Sequence, residues 1–304
     1  MKQSGETPSS SFFDSPIARE IADLSARRQA LENTTIELSG RTRIFTVSNQ
    51  KGGVGKTTTT VNVAAALASV GARVLVVDLD PQGNASTALG VAHTAETASI
   101  YDVLINEVPL ADIVQTSPES PLLLCAPSTI HLAGAEIELV SQVAREHRLR
   151  GALREYLAID ENHLDFVIID CPPSLGLLTI NAFTAAEEVL IPIQCEYYAL
   201  EGLSQLLGSV QMIQKHLNPA LHVSTILLTM YDGRTRLAQQ VADEVRSHFT
   251  NEVLSTVIPR SVRVSEAPSF GQTVIAYDGQ SAGAIAYREA AVEIVNRDTT
   301  TKGS

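Results

Sequence analysis

Cysteine is scarce: Cys125, Cys171 and Cys195 are the only three in 304 residues. They are odd in number and show no CxxC spacing. Neither a disulfide framework nor a cysteine-built metal site is expected, and a reduced, cytosolic protein is. The seven histidines form no HxH or HExxH cluster, which leaves zinc chemistry without support. No apolar run reaches the ~18 residues of a membrane span. The opening MKQSGETPSSSFFDSP has neither the basic start nor the apolar core of a signal peptide. Basic residues are also in deficit, 22 against 34 acids, for a formal charge of −12. That argues against general attraction to nucleic acid, so any DNA contact has to come from a local arginine patch.

What is present points to a single α/β domain after a short tail. Residues 1–40 are polar, and in SPIAREIADLSARRQALE the apolar Ile17, Ile21, Leu24 and Leu31 recur at roughly helical spacing. The expectation is a disordered tail carrying one short amphipathic helix, followed by one domain over 41–304. From Arg43 onward, β-branched runs alternate with helical stretches: RIFTVSN, RVLVVDLD, PLLLCAP, DFVIID, EVLIPIQ, VSTILLTMY and EVLSTVIP. Uninterrupted apolar strands are buried on both faces, which predicts a mostly parallel twisted sheet flanked by helices on both faces. The segments TVNVAAALASVG, LAGAEIELVSQVAREHRLRGALREYL and ALEGLSQLLGSVQMIQKHL read as helical, and NRDTTTKGS as a loose terminus. Ligands in such sheets sit at the carboxyl ends of the strands.

The first such end carries SNQKGGVGKTTTTVN. The glycines let backbone N–H groups turn inward around phosphate oxygens, and the helix that follows adds partial positive charge at its N-terminus. Lys56 is expected to reach the β- and γ-phosphates of a nucleotide and the Thr57 hydroxyl to ligate Mg²⁺. The usual GxxxxGK[ST] pattern fails at its first position, which is Gln50, and the tighter string Lys51-Gly52-Gly53-Val54-Gly55-Lys56-Thr57 stands in its place. DFVIIDCPPSLG is a hydrophobic strand ending in an acid. Asp170 is expected to hold Mg²⁺ through water beside Thr57, with CPPSLG as a loop that senses the γ-phosphate. Asp78 and Asp80 close RVLVVDLD and are not expected to serve one site equally.

KGGVGKTT resembles the deviant phosphate loop of the ParA/MinD class of P-loop ATPases. The strings VNVAAALASVGARVLVVDLDPQGNAST, VIIDCPPSLGLLTINAFTAAEEVLIPIQCEYYALEGLSQL and VIPRSVRVSEAPSFGQTV extend the likeness to the ParA (Soj-like) partition ATPases, over about residues 43 to 297. The resemblance implies ATP and Mg²⁺ as cofactors, with Lys51, Gly52, Gly53, Val54, Gly55, Lys56, Thr57, Thr58, Asp170 and Pro259 around the nucleotide. It implies that Lys51 crosses into a partner subunit's site, so that two subunits sandwich two ATP molecules. A side chain at Gly52 would obstruct that approach. It implies that Asp80 positions the attacking water, that Pro259 lies against adenine, and that Arg234 and Arg263 bind DNA backbone.

The implied cycle is an ATP-dependent homodimer that binds double-stranded DNA without sequence preference. Hydrolysis stimulated by a ParB-type centromere-binding protein then releases the DNA. The protein would be cytoplasmic and nucleoid-associated, with no membrane association. The rivals are a membrane-cycling ATPase like MinD, which needs a basic amphipathic C-terminal helix; a reductase like the nitrogenase iron protein, which needs cluster-bridging cysteines; and a non-catalytic scaffold.

Overall fold

The structure, a computed structural model, describes residues 15–34, 36–159, 161 and 163–300. The chain divides into two compact units, residues 1–35 and 36–304. In the first, α1 (Pro16–Glu32) begins behind Ser15, whose hydroxyl accepts from the Ala18 amide at 3.1 Å. The helix expected there is present, and Ile21 on it stands exposed. The disorder expected of residues 1–14 lies outside the described residues.

The second unit is an eight-stranded sheet in the order β3-β4-β2-β5-β1-β6-β7-β8. Its strands are β1 (Arg43–Val47), β2 (Val74–Asp78), β3 (Gln115–Thr116), β4 (Leu123–Ala126), β5 (Phe166–Asp170), β6 (Glu188–Gln194), β7 (His222–Tyr231) and β8 (Val253–Pro259). Every pairing is parallel except β3 with β4. The seven apolar runs read in the sequence are the seven parallel strands. The short edge strand β3 was not among them, because two polar residues carry no period.

The helices are α2 (Lys56–Ser69), α3 (Asn84–Ala88), α4 (Ile100–Asn106), α5 (Leu132–Leu139), α6 (Arg148–Leu157), α7 (Leu177–Ala185), α8 (Ala199–His216), α9 (Arg236–His248), α10 (Val262–Glu266), α11 (Val274–Tyr277) and α12 (Ala282–Thr300). Strand alternation divides the core between the two faces. Val74 and Val76 pack with α2 and α12, whereas Leu75 and Val77 pack with residues of α4 to α9.

Two expectations need correction. The stretch read as helical from Leu132 to Leu157 is two helices, parted at Ala144 by a left-handed turn (φ 51°). The Asn181 side chain fixes that break, donating to the Arg145 carbonyl at 2.7 Å and accepting from the Leu149 amide at 3.2 Å. The terminus read as loose from Asn296 is instead helical to Thr300, because α12 lays Tyr287, Ala290, Ala291, Ile294 and Val295 into the core.

Candidate nucleotide site

β1 and β5 run side by side with Val47 opposite Asp170, and β2 pairs with β5 so that Asp78 also lies opposite Asp170. Three strand ends therefore converge where the phosphate loop leaves β1. Gly53 (φ 75°) and Gly55 (φ 87°) occupy left-handed backbone that other residues adopt only with strain. Gly55 caps α2, so the first amides of that helix face the loop.

Lys56 is nearly buried, and its ammonium donates to the Lys51 carbonyl at 3.2 Å across the loop. Burial pushes its pKa down, while Asp170, Cys171 and Asp80 oppose the shift. A cation in that state is short of counter-charge, which a phosphate would supply. Asp170 is fully buried. Its Oδ1 accepts from the Thr60 hydroxyl at 3.0 Å, and its Oδ2 makes no hydrogen bond of normal geometry. Burial, with Asp78 second, raises its pKa to about 8 against the pull of the Thr57 and Thr60 hydroxyls. An orphaned buried carboxylate oxygen beside a threonine hydroxyl fits a divalent cation completed by water and phosphate. Thr57 and Asp170 would hold it.

The two aspartates after β2 part ways. Asp78 is buried, and its Oδ2 accepts from the Ser86 amide at 2.8 Å and the Ser86 hydroxyl at 2.7 Å. Its Oδ1 accepts from the Asp80 amide at 3.1 Å. It anchors the turn that carries Asp80. Asp80 is half-buried, accepts from the Gln82 amide at 3.0 Å, and acts electrostatically on Lys56. Alternation within a strand would put residues two apart on one face; the pair separates because β2 ends at Asp78.

Lys51 is the first residue of the phosphate-loop string. Its ammonium pairs with Glu196 at 2.8 Å, and Gln194 donates to the other Glu196 oxygen at 2.5 Å. Gly52 has open space where a side chain would go. An open cleft is lined by Gly55, Thr58, Met230, Pro259, Ser261 and Tyr287 among others. It lies where Pro259 was expected to contact a base. Met230 holds a positive φ of 50° at this cleft, a strained backbone with no counterpart in the residue pattern.

Arg234 follows β7 and pairs with Asp232 at 2.8 Å; Arg263 in α10 meets Glu266 at 3.3 Å and Asp278 at 3.4 Å. Their strands are neighbours, with Tyr231 opposite Pro259. Glu196, Thr60 and Met230 escaped the sequence reading. Only Thr60 left a signal, one helical turn beyond Lys56.

Residues 42–223 match a family model described as an AAA domain. The chain is 54% identical to the sporulation initiation inhibitor protein Soj of Bacillus subtilis over 83% of its own length and 98% of that protein's. It is 51% identical to the chromosome partitioning protein ParA of Myxococcus xanthus over 84% and 89%. The chain belongs to the Soj/ParA family of chromosome-partitioning ATPases. Among solved structures, a cobyrinic acid a,c-diamide synthase of Mycobacterium smegmatis with bound ADP and magnesium superposes at TM-score 0.73 and 38% identity, covering 86% of this chain and 97% of that one. The septum site-determining protein MinD of Pyrococcus horikoshii, complexed with Mg-ADP, superposes at 0.67 and 26% identity, covering 87% and 100%. The Soj/ParA fold is thus a P-loop ATPase sheet shared with proteins of other activities. The higher identity to partition proteins sets this chain's family apart from them.

Proposed function

We propose that this chain is a DNA-partition ATPase that closes on ATP as a sandwich dimer, binds duplex DNA in that state without sequence preference, and lets go after hydrolysis. The observation that carries the nucleotide chemistry is the buried, unpaired Asp170 Oδ2 beside Thr57, within the field of a Lys56 ammonium that burial leaves short of counter-charge. Mg²⁺ held there would neutralise charge on the β- and γ-phosphates. The phosphate-loop amides and Lys56 bind the triphosphate. Asp80, held out by the Asp78–Ser86 anchor, orients water toward the γ-phosphate. The cleft beside Pro259 takes the base.

Lys51 serves the partner's site. Its ammonium is paired to a half-exposed carboxylate. A surface pair of that kind contributes about 0–1 kcal/mol and is readily exchanged for a phosphate. A ParB-type protein with a basic segment would find a complementary surface on a chain of charge −12. The location that follows is cytoplasmic and nucleoid-bound. The MinD-like alternative asks for a free amphipathic C-terminal helix. The last described helix, α12, lays its apolar face into the core and is not such a helix.

The test is a pair of substitutions. Lys56→Ala should lose nucleotide binding, because the phosphates lose their principal cation. Lys51→Ala should keep most of the ATP affinity and stay monomeric. Nucleotide titration and light scattering with ATP read the two effects, and an ATP-dependent dimer of Lys51→Ala would remove the role given to that lysine.

A further inference from the structure

α5 is apolar on two sides. Leu132, Ala135 and Leu139 face the core. The other side carries Ala133 and Ile137, and the residues flanking the helix, Ile130 before it and Val140 and Val143 after it, are apolar as well. Those side chains have no cover: Ile130 is 62% exposed, Ile137 80%, Val140 58% and Val143 84%. Exposed apolar side chains gathered along one short stretch of chain are the kind of surface that marks an interaction site.

The position of the stripe says what covers it. The link from β4 into α5 is tied to the Asp78 anchor, since the Ser128 amide donates to the Ser86 hydroxyl at 3.0 Å. Glu136 of the same helix lies against Gly176 at the end of the CPPSLG loop; a Cβ there would meet Glu136 Oε1 at 1.7 Å. Leu175 of that loop is itself 42% exposed. The segment that carries the stripe is therefore tied at Ser128 to the Asp78 anchor and lies at Glu136 against the CPPSLG loop, the two loops that flank the proposed γ-phosphate position. It lies on the carboxyl-end side of the sheet, the side that a second subunit must approach for its Lys51 to reach in. Two copies of a chain with charge −12 repel one another, so their contact needs apolar burial rather than ion pairs. A basic partner protein would be drawn to acids, not to a stripe of isoleucine and valine.

We infer that the α5 stripe, with Leu175, is a self-association surface: in the ATP state it packs against the second copy of this chain and couples dimer closure to the γ-phosphate loops. This rests on the reading of the chain as an ATP-dependent dimer. Because the side chains are exposed, charged substitutions there leave the fold intact. Full-length Ile137→Asp and Val143→Asp should bind ATP like the wild type yet self-associate about tenfold more weakly or worse. Ile159→Asp, an exposed position between α6 and the amino end of β5, should dimerise normally. Light scattering across protein concentration with ATP and with ADP, alongside ATP titration, reads all four proteins. Wild-type-strength dimers of Ile137→Asp and Val143→Asp would overturn the inference. So would dimers of normal strength that have lost only stimulation by a partner protein, which would give the stripe to that partner. A wild-type chain that hydrolyses ATP while staying monomeric would instead remove the dimer reading itself.

Discussion

Asp170 has no solvent around it and one oxygen with no hydrogen bond of normal geometry, an arrangement that costs the protein stability. Its folded pKa, raised by burial to about 8, stands above the value of 3.8 expected when unfolded. Between those values the folded state binds the extra proton, so stability falls as pH rises through the window and the full cost is present above pH 8. The neighbouring Asp78, raised to about 6, contributes in the same direction over a lower range. The nucleotide-free protein should therefore be more stable at pH 6.5 than at pH 8.5, by about one to a few kcal/mol, and melt at a higher temperature. Asp170→Asn should raise the melting temperature at pH 8.5 and flatten the profile, while losing the stabilisation that Mg²⁺ with ATP gives the wild type. Stability traded for a cation site behaves in this way. A profile unchanged by the substitution would mean that Asp170 carries no such strain.

At the level of elements, the first residue of β1 and the first of β6 hold each other through a buried ion pair. Arg43 donates from Nε to Glu188 Oε1 and from Nη2 to Oε2, both at 2.7 Å, and from Nη1 to the Ile294 carbonyl of α12 at 2.8 Å. Its guanidinium also stacks 4.8 Å over Phe45. Glu188→Ala leaves a buried guanidinium without its carboxylate and should cost about 3–5 kcal/mol in urea unfolding. Replacing both partners with apolar residues should recover most of it. If the double variant is as unstable as the single, the pair holds more than its own charges.

This pair was invisible in the sequence, where Arg43 and Glu188 only begin two apolar runs. The runs themselves were legible, because a strand buried on both faces has no polar positions to break it. The phosphate loop was legible because its glycines and lysines are dictated by backbone conformation and charge. What stayed hidden depends on contacts between distant segments: the Asn181 side chain that splits α5 from α6, the core that orders α12 to Thr300, and the Glu196 carboxylate that holds Lys51.

At the scale of the whole molecule, the proposed DNA binding has to be reconciled with a charge of −12. Arg234 is 91% exposed and held by Asp232; Arg263 is shared by Glu266 and Asp278. In the lone subunit each cation is neutralised by a neighbour, so it offers DNA almost no net field. These are surface pairs of about 0–1 kcal/mol, easily exchanged for phosphate when several arginines are presented together. A dimer doubles the set to four in a fixed arrangement, and full engagement predicts a slope of log affinity against log salt of about −3 to −4. Binding to duplex DNA should therefore need ATP, ignore sequence and fall steeply with salt. Arg263→Glu should abolish it without affecting ATP-dependent dimerisation. Asp232→Asn, which frees Arg234 and removes one negative charge per subunit, should strengthen it. Duplex titrations at several salt concentrations, with ADP and with ATP, read each of these outcomes. Unchanged affinity in both variants would move the DNA surface away from the β7 and β8 loops, and tight binding with ADP would mean that dimerisation is not what switches it on.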